Sequence, residues 1–450
     1  MSQNGVLDST ARKLSHRLAL AQSKGRIPSI VAGVVRSGEL VWSAGRGRVE
    51  GAAPDVDTQY RIGSLTKSLV AVAVMRLRDE GLLDLSDRLE AFVPGTAVGD
   101  RTVGQLLSHS GGLPAELPGS WWERSPGVDS AELVRLMGDG VAVSWPGKGF
   151  HYSNPGFALL GELVSRVRGE EWTRVLAREV LEPLGMKRTT ALPEGRAATG
   201  LAVHPWMDVV MPEAVQDTGA MGPAGQLWST VADLARFASF LSGDTGGVLS
   251  ADTVLEMAEP VGVSDGDEWV SGYGLGLQLW RAEGRRVIGH SGSMPGFLAG
   301  ILVAPGADAG VVGLSNVTSS PDGFAFPDLL RIFVDAEPVF PQEWLPEEGA
   351  DLSLLELAGP WYWGPGAFVI RVRREGWLEL APISRGRGSR FRPLGDGSWL
   401  GLDGYYAGER LVVVRDAVGG VSHLDVGTFV FTRVPYEGDG VPGGVVGGWR

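Results

Sequence analysis

A serine and a lysine, Ser64 and Lys67, stand three residues apart at the start of a continuous apolar run. Residues three apart lie on one face of a helix, so both side chains would project together from its first turn. That turn carries free backbone N–H groups and a partial positive charge. Burial lowers the pKa of a lysine, and a neutral amine can take the proton of a serine hydroxyl. The pair therefore predicts a nucleophile with its base.

A purely structural role, with Ser64 as a helix cap, competes with this interpretation because Ser-x-x-Lys is short enough to occur by chance. The use of lysine favours chemistry. Lys67 is the only lysine that follows a serine by three and the only one inside an apolar run; the others are Lys13, Lys24, Lys148 and Lys187. Positive charge elsewhere comes from arginine, which stays protonated and cannot act as a base.

A second polar group, Tyr152-Ser153-Asn154, comes directly before a predicted helix. A tyrosine beside a lysine cation loses its proton more easily and can act as acid or base. The Asn154 amide offers a donor and an acceptor to a substrate amide. Taken alone, the pattern is better explained by a packed tyrosine at a helix start with Asn154 as the cap.

The run His290-Ser291-Gly292-Ser293 ends a predicted strand. An edge strand of small residues can pair with an extended substrate. The backbone N–H groups of Ser293 and Ser64 could form an oxyanion hole. For His290, the plainer explanation is a histidine at the end of a strand whose ring is hydrogen-bonded to a neighbouring residue.

Two other patterns resemble hydrolase motifs. The run from Gly262 to Gly266 matches the G-x-S-x-G elbow with Ser264 at its centre, but the elbow needs a strand before it and a helix after it. Because this run lies in a loop rich in Gly and Asp, we interpret it as a turn. Ser108 and His109 form an apparent dyad, although adjacent residues rarely face each other usefully.

Composition excludes several classes of protein. The net charge of −13 and the absence of a basic run argue against nucleic-acid and anionic-membrane partners. The chain has no cysteine, which excludes disulfides, thiolate metal sites and cysteine nucleophiles. Its six histidines include no His-x-x-x-His pair, so we expect no metal and no cofactor. The first 20 residues lack an apolar segment of the signal-peptide type, which predicts a cytoplasmic protein.

The pattern of elements predicts an α/β domain over residues 1–340, in which an early hairpin, a middle block of helices and late strands share one antiparallel sheet. We expect helices at 7–23, 102–107, 157–168, 171–182 and 229–241, and strands at 30–35, 39–44, 274–280, 286–290, 297–303 and 310–314. Residues 341–351 are rich in Pro and Glu and predict a linker. Seven further strands within 352–437 predict a small all-β barrel, and the Gly-rich residues 438–450 a flexible tail.

Together these motifs resemble the superfamily of serine β-lactamases and penicillin-binding proteins, whose signature is Ser-x-x-Lys, Ser-Asp-Asn and Lys-Thr-Gly. Their order is similar to the branch that holds class C β-lactamases, D-peptidases and related esterases. The runs 106–113 and 224–230 are also similar to this branch. The resemblance covers about residues 10–335 and implies an antiparallel sheet flanked by helices, with an all-helical subdomain. The β tail resembles the lipocalin-like tails of some bacterial members.

The resemblance also implies roles for the motif residues. Ser64 would be the acylated nucleophile and Lys67 its base, and Tyr152 would carry protons to and from the leaving group. The Ser64 and Ser293 amides would form the oxyanion hole. The predicted substrate contacts are Asn154, His290, Ser291 and Gly292.

The sequence departs from the family at its third motif, where His290 replaces the lysine of Lys-Thr-Gly. A histidine is mostly neutral at pH 7, so the cation that would hold a substrate carboxylate is missing. We therefore expect a serine hydrolase of small esters or D-configured amides and peptides. One alternative is a penicillin-binding-protein-type thioesterase that cyclises a nonribosomal peptide, with a carrier protein as partner. Another is a non-catalytic binding protein of the same fold, against which the intact Ser64, Lys67 and Tyr152 argue.

Overall fold

The computed structural model describes residues 5–320, 325–341, 343–384 and 386–435. Contacts divide the chain into two compact units, Met1–Phe340 and Pro341–Arg450, and each is described by itself. The predicted tail at 438–450 lies outside the described residues, and the linker at 341–351 stays a prediction. Among the described residues, no helix is both long and apolar enough to cross a membrane.

The helices of the first unit lie between and around its strands. They are α1 (Asp8–Lys24), α2 (Leu65–Asp79), α3 (Val103–Leu107), α4 (Ser130–Leu136), α5 (Asn154–Arg168), α6 (Trp172–Leu176), α7 (Gly222–Gly225), α8 (Val231–Leu241), α9 (Ala251–Met257) and α10 (Phe326–Ala336).

The strands of the first unit are β1 (Ser29–Arg36), β2 (Glu39–Gly47), β3 (Tyr60–Arg61), β4 (Leu201–Val203), β5 (Val210–Pro212), β6 (Trp228–Ser229), β7 (Gly262–Val263), β8 (Ser271–Tyr273), β9 (Gln278–Ala282), β10 (Arg285–Met294), β11 (Phe297–Ala304) and β12 (Ala309–Ser315). Eight of them form one antiparallel sheet in the order β2-β1-β12-β11-β10-β9-β8-β7. The predicted α/β domain with one shared sheet is therefore confirmed.

Strand β1 is a nearly continuous apolar run in the sequence, and its packing explains why. Its residues alternate between two cores, so both faces of the strand are covered. Val31 and Val35 pack into the core with α2 and α8, whereas Ile30, Ala32 and Val34 pack with α1 and α10. Pairing of β1 with both β2 and β12 holds the strand inside the sheet, second from one edge.

A helical subdomain packs beside the sheet. Helix α5 contacts α2, α3, α6 and α7, and α2 also contacts β10 and β11. Every residue of α2 from Leu65 to Met75 is buried, as the apolar run predicts. Helix α2 therefore joins the helical subdomain to the sheet and carries Ser64 at its start.

Several element boundaries differ from the predictions. The strand predicted at 274–280 starts later and runs further, as β9 from Gln278 to Ala282, because residues 274–277 form the turn between β8 and β9, in which Gly276 has φ +76°. The strand predicted at 286–290 continues to Met294 as β10. Strand β10 pairs with β11 as far as Met294 but with β9 only as far as Gly289. His290–Ser293 therefore have a free strand edge on the β9 side, as the edge-strand prediction expects. Helix α5 begins three residues earlier than predicted, with Ser153 rather than Asn154 as its cap.

Some elements were not predicted at all. The irregular stretch 192–226 contains the small hairpin of β4 and β5 and the short helix α7. Helices α4, α9 and α10 were also missed. Most of these are short or lie in segments rich in Gly and Pro, where hydrophobic periodicity is a weak signal. The exception is α10, whose 11 residues carry a regular apolar face that could have been predicted.

The second unit contains a closed barrel whose strands run β13-β14-β15-β16-β17-β18-β19-β20. Its strands are β13 (Gly359–Trp363), β14 (Gly366–Val372), β15 (Leu378–Pro382), β16 (Ser389–Pro393), β17 (Ser398–Gly401), β18 (Arg410–Arg415), β19 (Val421–Val426) and β20 (Phe429–Thr432). Large side chains such as Trp361, Phe391 and Phe431 fill its core. The predicted all-β barrel is confirmed, with one more strand, β13, than the seven predicted.

Candidate active site

Ser64 stands at the N-terminal end of α2, and Lys67 follows within the first turn. The Lys67 amine Nζ lies 2.9 Å from the Ser64 hydroxyl Oγ. The cap explanation for Ser64 is wrong, because its hydroxyl makes no capping bond to the helix backbone. The structure thus brings the predicted nucleophile and base into direct contact.

The surroundings of Lys67 favour its neutral form. Its side chain is fully buried, and its Nζ also donates to the carbonyl of Ala224 at 2.6 Å. Burial lowers the pKa of Lys67 to about 7, partly offset by the charges of Glu116 and Glu123. One amine hydrogen is therefore held by Ala224, and the lone pair of the neutral amine can face the serine.

Tyr152 completes this cluster. The Lys67 Nζ lies 5.0 Å from the centre of the Tyr152 ring, and the Tyr152 hydroxyl is hydrogen-bonded to Ser64. The expectation that a lysine cation eases ionisation of this tyrosine is wrong. Burial raises the pKa of Tyr152, so the phenol keeps its proton and can donate it.

Backbone contacts bring Ser293 of β10 beside Ser64. A Cβ on Gly63 would lie 2.6 Å from the backbone N and O of Ser293, and one on Gly292 would lie 2.0 Å from the Ile62 carbonyl oxygen. Only glycine permits such approaches, and Gly63 also has φ +53°. The amide of Ser291 donates to the Gln278 side chain at 2.8 Å. Because alternate residues of a strand direct their amides to the same side, the Ser293 amide faces the same side, beyond the end of β9.

His290 is buried, with 1% of its surface exposed, and both ring nitrogens bond within the protein. Its Nδ1 donates to the Ser291 carbonyl at 2.5 Å, and its Nε2 accepts from the Tyr273 hydroxyl at 3.0 Å. Burial lowers the pKa of His290 to about 3. The predicted role of His290 as a direct substrate contact therefore needs correction, since its imidazole is neutral and both of its ring nitrogens are already hydrogen-bonded.

Two carboxylates face the cluster. Asn154 donates to Glu116 at 2.9 Å, which leaves its amide oxygen for another donor. Trp122 donates to Glu116 at 2.7 Å and Trp121 to Glu123 at 2.9 Å. Burial, with the nearby charge of Glu116, raises the pKa of Glu123.

The competing motifs do not form catalytic sites. Ser264 lies in the turn after β7, where its hydroxyl donates to Ser271 at 2.8 Å, and β8 rather than a helix follows. The turn interpretation is confirmed. Ser108 donates to the Gly104 carbonyl at 2.7 Å, so it does not face His109. In the part of the chain that the structure describes, no cluster of three or more His, Asp or Glu side chains could hold a metal ion.

Comparison with known proteins decides the family. A model described as Beta-lactamase matches residues 8–334. The chain belongs to the beta-lactamase family. The predicted β-lactamase-like fold is thereby confirmed for the first unit. A second model, described as a domain of unknown function, matches residues 350–433.

Relatives of this beta-lactamase family member carry several names. Penicillin-binding protein 4 of Amycolatopsis lactamdurans is 28% identical over 70% of this chain and 87% of its own length. Beta-lactamase-like protein 2 of Dictyostelium discoideum is 28% identical over 54% of this chain. The chain spans 47% of the Dictyostelium protein and 65% of a human beta-lactamase-like relative.

Solved structures show the same fold. An octameric penicillin-binding protein homologue from Pyrococcus abyssi aligns over 95% of this chain and 100% of its own, with TM-score 0.64 and 23% identity. A D-stereospecific amidohydrolase from Streptomyces sp. aligns over 71% of this chain and 98% of its own, with TM-score 0.62 and 25% identity.

Sequence reasoning missed several residues of this beta-lactamase-type site. The Ala224 carbonyl acts through its backbone and carries no side-chain signal. Glu116 and Glu123 lie in a Pro- and Gly-rich loop without a recognisable motif. Tyr273 ends β8, a strand that was not predicted, and its link to His290 depends on the sheet register. Only His109, inside the family-like run 106–113, carried a signal that could have found it.

Proposed function

We propose that this protein is a serine hydrolase that works through an acyl-enzyme on Ser64. The observation that carries the proposal is the 2.9 Å contact between the Ser64 hydroxyl and the Lys67 amine. Because the pKa of Lys67 is lowered to about 7, a large fraction of the amine is neutral at neutral pH. A neutral amine in hydrogen-bond reach is the base that a weak serine nucleophile requires.

The steps follow from the donors and acceptors present. The Ser64 oxygen attacks the substrate carbonyl while its proton passes to Lys67. The bond to the leaving group then breaks, and the leaving group takes a proton through the Tyr152 hydroxyl, which is replenished from the Lys67 ammonium. Water attacks the ester in the second half, and its proton returns to the Ser64 oxygen along the same groups. The Ser64 and Ser293 amides stabilise the oxyanion in both halves.

We propose further that the cleft favours an acyl group with a positive charge and disfavours a free carboxylate. Glu116 and Glu123 lie close enough to Lys67 to raise its pKa, and neither forms an ion pair with an arginine or lysine among the residues that the structure describes. His290, in place of the family lysine, is neutral. A substrate ammonium would complement these carboxylates, which supports aminoacyl esters and amides.

The D-configuration rests on similarity alone. The amidohydrolase from Streptomyces sp. is D-stereospecific by its description, and another solved structure, 21% identical, is a D-amino acid amidase from Ochrobactrum anthropi with D-phenylalanine. Asn154 would bind the acyl side of such a substrate through its amide oxygen. Ser291 and Gly292 would lie beside its extended backbone.

The testing experiment compares kcat/KM for p-nitroanilides of D-alanine, L-alanine and N-acetyl-D-alanine and for a peptide that ends in two D-alanines. We expect the D-alanine anilide to be turned over fastest, and Ser64→Ala to abolish turnover. Glu123→Gln should lower kcat/KM for the free amine and leave the N-acetyl substrate nearly unchanged. A preference for the N-acetyl compound or the peptide would contradict the proposed substrate class.

An acyltransferase with a carrier protein is distinguished in the same assay. Added amine acceptors would divert the acyl group from water to an amide product, which mass spectrometry detects. A hydrolase forms the free acid at a rate that does not depend on the acceptor. A non-catalytic binding protein would turn over none of the four substrates.

A further inference from the structure

His109 makes three contacts with the segment that carries Tyr152. Its carbonyl accepts from the backbone N–H of His151 at 2.8 Å. Its ring nitrogen Nδ1 accepts from the backbone N–H of Ser153 at 3.0 Å. Its ring centre lies 4.2 Å from the centre of the Tyr152 ring, at an angle of 36° between planes. One residue thus holds the backbone on both sides of Tyr152 and one face of its ring.

The backbone of His109 is shaped for this arrangement. Its φ is +55°, a left-handed conformation that few residues other than glycine adopt, although histidine, asparagine and aspartate adopt it more often than most. In this conformation the carbonyl and the imidazole of one residue reach the same short segment. Sparsely populated conformations persist where the surrounding structure over-determines them, and they cluster at functional sites.

The imidazole is held in a single hydrogen-bonding state. Because Nδ1 accepts a bond, the ring proton resides on Nε2. That Nε2 is buried and has no hydrogen-bond partner among the described residues, a state that ordinarily costs about 1–3 kcal/mol. Burial also lowers the pKa of His109 well below its ordinary value. A protonated ring would lose the acceptor for Ser153, so the neutral ring is the one that the fold requires.

Aromatic side chains fix the plane of this ring. Phe157 and Tyr273 lie 5.1 Å and 4.6 Å from its centre, and Phe150 meets it edge-on at 5.8 Å. The ring cannot rotate without displacing at least one of them, because protein cores are close-packed. The face that His109 offers to Tyr152 is therefore fixed.

We propose that His109 is a positioning residue for Tyr152, which sets the phenol hydroxyl between Ser64 and the leaving group. The proposal rests on the role proposed above for Tyr152. It goes beyond that role, because it assigns a task to a buried histidine that takes no proton in the reaction. A misplacement of about 1 Å can cost about 10²-fold in rate, so loss of His109 should slow the steps that depend on Tyr152.

The leaving group separates this role from a general structural one. A p-nitrophenolate leaves without help, whereas the amine of an amide must be protonated as the bond breaks. His109→Ala should therefore lower kcat for an amide of D-alanine about 10- to 100-fold and for the p-nitrophenyl ester less than about threefold. A substitution that merely loosened the fold would slow both substrates alike.

Rescue and coupling variants complete the test. His109→Asn keeps a side-chain oxygen acceptor and tolerates the left-handed conformation, so it should recover part of the amide activity, whereas His109→Phe keeps the ring without the acceptor and should recover less. In a Tyr152→Phe background, His109→Ala should cost nothing more, because its effect acts through the absent hydroxyl. His151→Ala is the matched control, since this exposed neighbour should leave the amide-to-ester ratio unchanged.

Equal losses on ester and amide, or losses that add to those of Tyr152→Phe, would overturn the role of His109 and leave the proposed function intact. Wild-type amide turnover by Tyr152→Phe would overturn the role of Tyr152 and that of His109 together. If His109→Ala does not fold, as judged by circular dichroism, the same comparisons are made with His109→Asn and His109→Phe. Identical kinetics for those two variants would then overturn the proposal.

Discussion

Tyr273 donates its hydroxyl to Nε2 of His290 at 3.0 Å. His290 stands where the family's Lys-Thr-Gly motif has its lysine, so a hydrogen-bonded imidazole replaces a lysine there. With Nδ1 bonded to the Ser291 carbonyl, the ring has no free nitrogen and no charge to offer a substrate carboxylate. Hydrogen bonds to charged groups typically contribute about 1.5–3 kcal/mol, against about 0.5–1.5 kcal/mol for neutral ones. Under the proposed function, we therefore expect substrates with a free carboxylate to bind less well than those without one.

The first prediction is that His290→Lys shifts preference towards carboxylate-terminated substrates. We expect the ratio of kcat/KM for a peptide ending in two D-alanines to that for a neutral ester to rise about tenfold, which is about 1.4 kcal/mol. His290→Gln is the matched control, because glutamine keeps a neutral polar side chain and should leave the ratio unchanged. A wild-type protein that already prefers the peptide would contradict this account of specificity.

The second prediction concerns the pH dependence of acylation. Because only the neutral amine of Lys67 can accept the Ser64 proton, kcat/KM should rise with pH through the lowered pKa of about 7 and then level off. The charge of Glu123 raises the pKa of Lys67, so Glu123→Gln should move this rise in kcat/KM to lower pH. Lys67→Arg should lose about 10²–10⁴-fold at every pH. A rise in kcat/KM that moved to higher pH in Glu123→Gln would contradict the claim that Glu123 raises the pKa of Lys67.

The third prediction concerns stability. The unfolded chain holds Lys67 at an ordinary pKa of 10.5, whereas the folded chain holds it at about 7. Between these values the unfolded state binds more protons, so the folded state gains stability as pH rises. The destabilisation that results from burying the charged amine of Lys67 is therefore complete below pH 7 and is gone near pH 10.5.

Lys67→Met removes this destabilisation, so its advantage in unfolding free energy over the wild type should be larger at pH 6 than at pH 9. The difference should be on the order of 2 kcal/mol, measured by urea denaturation followed by tryptophan fluorescence. The pH-independent effects of the substitution cancel in this comparison. An advantage that is the same at both pH values would mean that the folded lysine keeps its ordinary pKa.

The sequence predicted those parts of the fold that follow from periodicity. The apolar run after Ser64 became the buried helix α2, and the alternation of Ile30 to Val35 between two cores explains why β1 was evident. Thr230 caps α8, where its hydroxyl accepts the backbone N–H of Asp233 at 3.2 Å, in line with the preference of helix starts for threonine. Local patterns of this kind need no knowledge of distant contacts.

Other parts depend on contacts between distant segments. The length of β10 is set by its hairpin with β11, and the environment of Lys67 by the Ala224 carbonyl, 157 residues further along the chain. The protonation of Tyr152 was predicted in the wrong direction, because a local pattern shows a neighbouring lysine and does not show burial. The ring of His290 was expected to contact a substrate, and only the fold shows that its Nε2 is hydrogen-bonded to Tyr273 instead.

The most direct test of the central claim is to locate the acylated residue. The protein is treated with a fluorophosphonate or penicillin-type probe, and the added mass is mapped to a peptide by mass spectrometry. We expect one adduct, on Ser64, which is absent in Ser64→Ala, strongly slowed in Lys67→Met and unchanged in Ser264→Ala. An adduct on Ser264, or one that persists in Ser64→Ala, would contradict the claim that Ser64 is the nucleophile.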